Sequence, residues 1–163
     1  MLIALISDIH DHDTHLLLAL QAAAERGCSH LIHMGDMTSA STFRILRDEW
    51  SGCIDLVFGN NEYELSTFQR MADQWDNTRL HGYAGSIDID GRSIFFTHLP
   101  RDARKAVESG RYDAVFYGHT HCAEIIQIGR TLIVNPGEIQ GRQSAPSFGV
   151  YNTETNTAEI MTF

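Results

Sequence analysis

The sequence predicts an α/β protein in which two packed β-sheets carry helices on their outer sides, and three observations predict it. In the first half, short apolar runs alternate with segments at helical spacing, an order that implies parallel strand pairing. In the second half, β-rich runs follow one another with turn signals between them and little helical patterning. The chain of 163 residues is 43% hydrophobic, enough for a sizeable core, and no biased tract or fixed repeat divides it, so one domain over residues 1–163 is expected.

The elements follow in order. Met1 to Ser7 is a near-continuous apolar run, too short for a membrane span and without the basic flank of a signal peptide; it reads as a buried strand. Leu16, Leu17, Leu20, Ala23 and Ala24 fall at helical spacing, with Asp13 or Thr14 available as cap and Gly27 as a left-handed stop. His30 to Met34 and Ile54 to Phe58 read as strands, and Thr42 to Trp50 and Glu62 to Gln74 as the helices that follow them. Ser86 to Asp90 and Ser93 to Thr97 flank Asp90-Gly91, a hairpin signal because the turn needs positive φ. Asp102 to Glu108 is the one helical stretch of the second half. Ala114 to Tyr117, Glu124 to Ile128, Thr131 to Val134, Phe148 to Asn152 and Ala158 to Met161 read as strands.

Composition narrows the function classes. Three widely spaced cysteines, Cys28, Cys53 and Cys122, argue against a disulfide framework and for a reducing compartment, hence a cytoplasmic protein. No apolar run approaches the ~20 residues needed to cross a bilayer. A formal net charge of −9 disfavours a stable nucleic-acid partner, which needs a basic face. It leaves room for a small phosphate ligand held by cations, which would offset part of that charge.

Metal-binding residue types cluster at the carboxyl ends of the expected strands. Asp8 and His10 follow the first, Asp36 the second, Asn60 the third, His98 the Ser93 strand, and His119 and His121 the Ala114 strand. In open α/β sheets that is where ligands bind, so these loops converge. Carboxylate, imidazole and amide oxygen suit divalent transition metals such as manganese, nickel, zinc, iron or cobalt. In Asp8-Ile9-His10 and His119-Thr120-His121 a locally extended chain sends both ligands to one side. Gly35, Gly59 and Gly118 precede ligands and let backbone pass close to ions or phosphate oxygens.

In this order, Asp8-Ile9-His10, Gly35-Asp36, Gly59-Asn60, Thr97-His98 and Gly118-His119-Thr120-His121 make the chain resemble the calcineurin-like metallophosphoesterases, most closely their small prokaryotic YfcE-like phosphodiesterase branch. Asn135-Pro136-Gly137 resembles a loop near that branch's site, with Glu138 where serine is more usual. The resemblance implies a sandwich of two mixed sheets flanked by helices and two divalent cations, manganese being the first choice. Asp8, His10, Asp36 and His121 would bind one, Asp36, Asn60, His98 and His119 the other, with Asp36 bridging. It implies hydrolysis of a small phosphodiester substrate by a hydroxide formed between the ions, with His98, Asn60 and Asn61 as catalytic residues beside them. Asn61 departs from the family, which places histidine or cysteine there; an amide donates a hydrogen bond but does not shuttle a proton.

His12, two residues after His10, is the one further histidine read as able to reach the phosphate or leaving group. His15, His30, His33 and His81 are read as ordinary structural residues, Arg101 and Arg104 as a solvated helix start, and Cys122 as an unactivated thiol. Two rival functions are carried: phosphomonoester hydrolysis, and a non-catalytic scaffold like the retromer subunit of the same family. A scaffold with an eroded site should lack ligand histidines, and here every expected position holds a metal-binding residue type. Substrate, native metal and oligomeric state, a homo-oligomer included, are left open by the sequence.

Overall fold

A computed structural model describes residues 1–163. The elements are β1 (Leu2–Ile6), α1 (Asp13–Glu25), β2 (His30–His33), α2 (Ala40–Glu49), β3 (Cys53–Leu56), α3 (Leu65–Ala72), β4 (Thr78–Leu80), β5 (Ala84–Ile89), β6 (Arg92–Thr97), α4 (Pro100–Glu108), β7 (Ala114–Phe116), β8 (Glu124–Ile128), β9 (Thr131–Asn135), β10 (Ser147–Asn152) and β11 (Thr157–Thr162). They form a six-stranded sheet ordered β11-β10-β1-β2-β3-β4 and a five-stranded sheet ordered β5-β6-β7-β9-β8. β1 to β4 pair in parallel, while β10 and β11 add antiparallel at the other side of β1. The second sheet mixes the antiparallel pairs β5-β6 and β8-β9 with parallel β6-β7 and β7-β9.

The layers explain why β1 carries no polar alternation. Ala4 and Ile6 point to a core shared with α1, α2 and α3 through Leu16, Leu20, Phe43 and Phe68. Ile3 and Leu5 point to the opposite side, where they meet Phe96, Phe116 and Val134 of the second sheet. A strand covered on both faces gains by burying every side chain. The outer side of the second sheet is covered by α4, whose Ala103 and Ala106 pack on Val115, Tyr117 and Ile133.

Three details differ from the sequence reading. β4, which closes one edge of the first sheet, is only three residues long, Thr78–Leu80, one of them exposed, so it carries no period-2 signal. α1 is capped by neither Asp13 nor Thr14: the His12 side chain accepts from the His15 amide, an acceptor geometry an imidazole nitrogen can supply in place of a carboxylate or hydroxyl. Helix α4 begins at Pro100, where the fixed φ of proline suits the first turn. Gly27 (φ 81°) follows α1 as expected, and Asp90 (φ 50°) and Gly91 (φ 75°) form the β5-β6 turn. No helix is long and apolar enough to cross a membrane.

Candidate metal centre

The carboxyl ends of β1, β2, β3, β6 and β7 meet at one edge of the sandwich and deliver Asp8, His10, Asp36, Asn60, His98, His119 and His121. The backbone there is not extended, contrary to the sequence reading of the two Xaa-Xaa-His segments. Asp8 (φ 55°), His10 (φ 45°), Asp36 (φ 59°), His119 (φ 71°) and His121 (φ 60°) are left-handed. For non-glycine residues such conformations cost on the order of 1–3 kcal/mol each and persist where surrounding contacts over-determine them. Those contacts are loop-to-loop hydrogen bonds: the amides of Ile9 and His10 donate to Asp36 O (3.0 and 3.1 Å), Asp8 N to Gly35 O (3.1 Å), Gly118 N to His98 O (3.1 Å) and Gln140 N to Asp8 O (3.1 Å). Ile9 turns into the core, fully buried, while its two neighbours face the site.

Close approach explains the glycines. A Cβ on Gly59 would meet Asp36 Oδ1 and lie 2.5 Å from the Asp36 amide nitrogen, and one on Gly118 would strike the Ser7 hydroxyl and lie 2.8 Å from Asp8 Oδ2. A side chain at either position would push a carboxylate out of place.

All seven predicted ligands form one chain of contacts. His121 Nε2 lies 3.3 Å and His10 Nε2 3.8 Å from Asp8 Oδ1. Asp36 Oδ2 lies 3.6 Å from His10 Nε2 and 3.4 Å from His98 Nε2. His98 Nε2 is in turn 3.0 Å from Asn60 Oδ1 and 3.3 Å from His119 Nδ1. Two sets of side chains, Asp8 with His10 and His121, and Asp8 with Asp36 and His98, bring their donor atoms within 4.8 Å of one another.

The surrounding groups fix which atoms face inward. Asp8 Oδ2 accepts from Ser7 Oγ (2.6 Å) and His119 N (3.0 Å), whereas the buried Asp8 Oδ1 has no hydrogen-bond donor. The buried His10 Nε2 likewise lacks a partner. The His98 Nδ1–H donates to Met34 O at 2.7 Å, and the His121 Nδ1–H to Glu138 Oε2 at 2.7 Å. In its neutral form each ring therefore presents Nε2 as a lone pair aimed at a carboxylate oxygen, and a proton or a cation held there joins the two. Two acceptors at 3.3–3.4 Å repel unless positive charge stands between them, and an uncompensated buried carboxylate oxygen is costly. The donor set fits divalent cations.

Electrostatics agree. Burial alone would raise the Asp36 carboxyl, but His98, 3.4 Å away, and the hydrogen bonds from Asn61 hold it well below the usual carboxylate range. The Asp8 carboxylate, 3.8 Å from His10 Nε2, raises the pKa of His10 against the opposing effect of burial. Burial disfavours the charged form of His98, yet Asp36 and Asp8 outweigh it and raise that ring as well. Both imidazoles thus sit where positive charge is stabilised, the environment that also attracts a cation.

Asn61 and His12 are placed differently from the seven candidate ligands. The Asn61 side chain donates to Asp36 Oδ2 (2.6 Å) and its backbone N to Asp36 Oδ1 (2.9 Å), so its amide holds a carboxylate. His12 stacks on His15 at 3.7 Å between ring centroids, and its Nδ1 accepts from the His15 amide. The proton of the neutral His12 ring is thereby on Nε2.

Sequence reasoning missed the supports. Glu62, buried, accepts from Met37 N (2.6 Å) and Gly59 N (2.7 Å) and so ties the loops that carry Asp36 and Asn60; burial raises its pKa. Glu138, fully buried, accepts from the Ser144 amide (2.6 Å) and the Gln143 amide (2.5 Å) besides His121, and these bonds outweigh burial to keep it ionised. The place of Glu138 beside the Asn135-Pro136-Gly137 loop was the one signal for it.

The calcineurin-like phosphoesterase superfamily domain matches residues 1–156. The chain belongs to this superfamily. Among its members, phosphodiesterase MJ0936 of Methanocaldococcus jannaschii is 29% identical over 157 residues, 94% of each chain. A solved archaeal phosphodiesterase superposes with a TM-score of 0.93 at 28% identity and full coverage of both chains. Two further solved structures share the fold at lower identity: the E. coli phosphoesterase YfcE (TM-score 0.70, 18%, 99% of each chain), and Vps29 of Entamoeba histolytica in complex with zinc (TM-score 0.67, 16%, 100% of this chain and 98% of that one). The two-sheet sandwich with outer helices is the architecture of the superfamily, whose phosphoesterase chemistry depends on divalent metal ions.

Proposed function

We propose that this chain, acting as one domain, is a metal-dependent phosphodiesterase. Asp8, His10, Asp36 and His121 would hold one divalent cation and Asp36, Asn60, His98 and His119 a second. The observation that carries this reading is the pair of buried polar atoms without hydrogen-bond partners, Asp8 Oδ1 and His10 Nε2, set beside His98 and His121, whose Nδ1 protons are turned away. The phosphodiesterase relatives, one of them 28% identical with full coverage, favour diesters over monoesters.

When bound, such cations supply a water of lowered pKa and positive charge against the phosphoryl oxygens. The protein groups do the positioning. Asp36 presents Oδ2 between His10 and His98 while Asn60 N, Asn61 N and the Asn61 amide fix its orientation. Glu138 and Met34 O fix the tautomers of His121 and His98. His119 and Asn60 are exposed and line the approach for substrate. Asn61 carries no transferable proton, so the leaving oxygen departs as an anion unless water or His12 Nε2–H donates to it.

The scaffold reading is disfavoured because every ligand position holds a metal-binding side chain in register with the others. The test is a comparison, on manganese-loaded protein, of an aryl phosphodiester, a cyclic nucleotide and an aryl monoester. Turnover of diesters above the monoester supports the proposal; a monoester preference makes the protein a phosphatase, and none at all with any transition metal returns it to the scaffold class.

A further inference from the structure

A cavity of about 450 Å³ opens beside Asn60 and His98 and is lined also by Phe58, Tyr83, Leu99 and Arg101. Its size is that of a small-molecule site. Tyr83 stands out in it: the residue is 61% exposed, its ring lies 5.7 Å from that of Phe58, and it is one of the few large apolar surfaces the fold leaves in solvent. Its backbone is nonetheless pinned on both sides. Phe58 N donates to Gly82 O at 2.7 Å, and Thr97 Oγ1 donates to Tyr83 O at 3.0 Å. Phe58 and Thr97 lie just before Gly59-Asn60 and just before His98. The strand ends that carry two ligands of the proposed second cation therefore also set the position of this ring.

The acidic groups on the cavity wall are already engaged. Both oxygens of Glu62 accept backbone amides, and Asp102 pairs with Lys105 at 3.1 Å and Arg101 at 3.4 Å. What remains for an occupant is an exposed aromatic face beside a second ring and the exposed Arg101 guanidinium, which only its Nε ties to Asp102, a combination that favours a flat aromatic group through stacking. We propose that this cavity is the subsite for an aromatic group carried on the substrate's phosphoryl centre, with Tyr83 as the specificity-determining residue. The proposal rests on the phosphodiesterase reading above.

Phosphonates that the enzyme does not hydrolyse separate the two ideas. Calorimetric binding of phenylphosphonate and methylphosphonate to manganese-loaded protein should show a phenyl advantage of about tenfold, the worth of one stacked ring. Tyr83→Leu should reduce the ratio to about twofold, and Tyr83→Phe should preserve it. Equal affinities in the native protein, in a preparation that hydrolyses an aryl phosphodiester, overturn the subsite and leave the phosphodiesterase standing. An undiminished ratio in folded Tyr83→Leu also overturns it. Binding of neither phosphonate, with no diester turnover, defeats both readings. Should Tyr83→Leu fail to fold, the native ratio decides alone.

Discussion

Asp36 Oδ2 is the atom on which the two halves of the site meet, 3.6 Å from His10 Nε2 and 3.4 Å from His98 Nε2. On the proposed assignment Asp36→Asn keeps the size but removes the charge shared by the two cations, so metal analysis on folded variant should find both weakened, by ~100-fold or more. Asp8→Asn should chiefly lower occupancy of the site that includes His121, since Asp8 Oδ1 faces that ring. At Asn61 the absence of a proton donor has a kinetic consequence. A series of aryl phosphodiesters should show rates that fall steeply as leaving-group pKa rises, and Asn61→His should flatten the series, with up to ~100-fold gained for the poorest leaving group. That variant also gives up the 2.6 Å bond to Asp36, so metal occupancy must be measured alongside. A flat series in the native protein, limited by chemistry, would make His12 the donor to mutate.

Among the elements, β3 brings a second charged cluster, which the sequence hides inside an apolar run. Asp55, fully buried, accepts from His30 Nε2 (2.6 Å), His81 Nε2 (2.5 Å) and Arg79 Nε (3.1 Å). Burial opposes ionisation, but His30, His81 and Arg79 hold this carboxyl well below the usual range. A depressed carboxylate adds stability that is present above its unfolded value near 4 and lost as pH falls through the folded one. Urea midpoints should therefore fall on acidification below about pH 4, and Asp55→Asn should cost about 3 kcal/mol at pH 7 and weaken that acid dependence. An unchanged midpoint would show that the cluster is structurally idle. The same strand shows what the sequence makes legible. Ile54 and Leu56 announce a strand because burying apolar side chains is a local requirement; the three partners of Asp55 come from β2, β4 and the loop after β4, and no local pattern encodes them. The residues of the candidate metal centre were legible for a different reason, since side-chain type and place at a strand end survive in one dimension. Their left-handed backbone, the His12 cap and the Glu62 and Glu138 supports depend on contacts between distant loops, and those emerge only from the folded chain.

For the whole molecule, the site joins loops from both sheets, so cation binding should stabilise the global fold. At metal concentrations 100 times the dissociation constant the gain is about 2.7 kcal/mol, which for a chain of this length is a rise of roughly 5–10 °C in Tm. The metal-stripped protein should melt lower by that amount, and Asp36→Asn should show little response to added manganese; a native Tm indifferent to metal would mean that the loops are held without it. The central claim, a site that works through bound cations, is tested most directly by titrating manganese into verified metal-free protein while following hydrolysis of an aryl phosphodiester. The account predicts no turnover at the start and activity that rises until two equivalents are bound. Undiminished turnover in protein shown to contain no metal would contradict it.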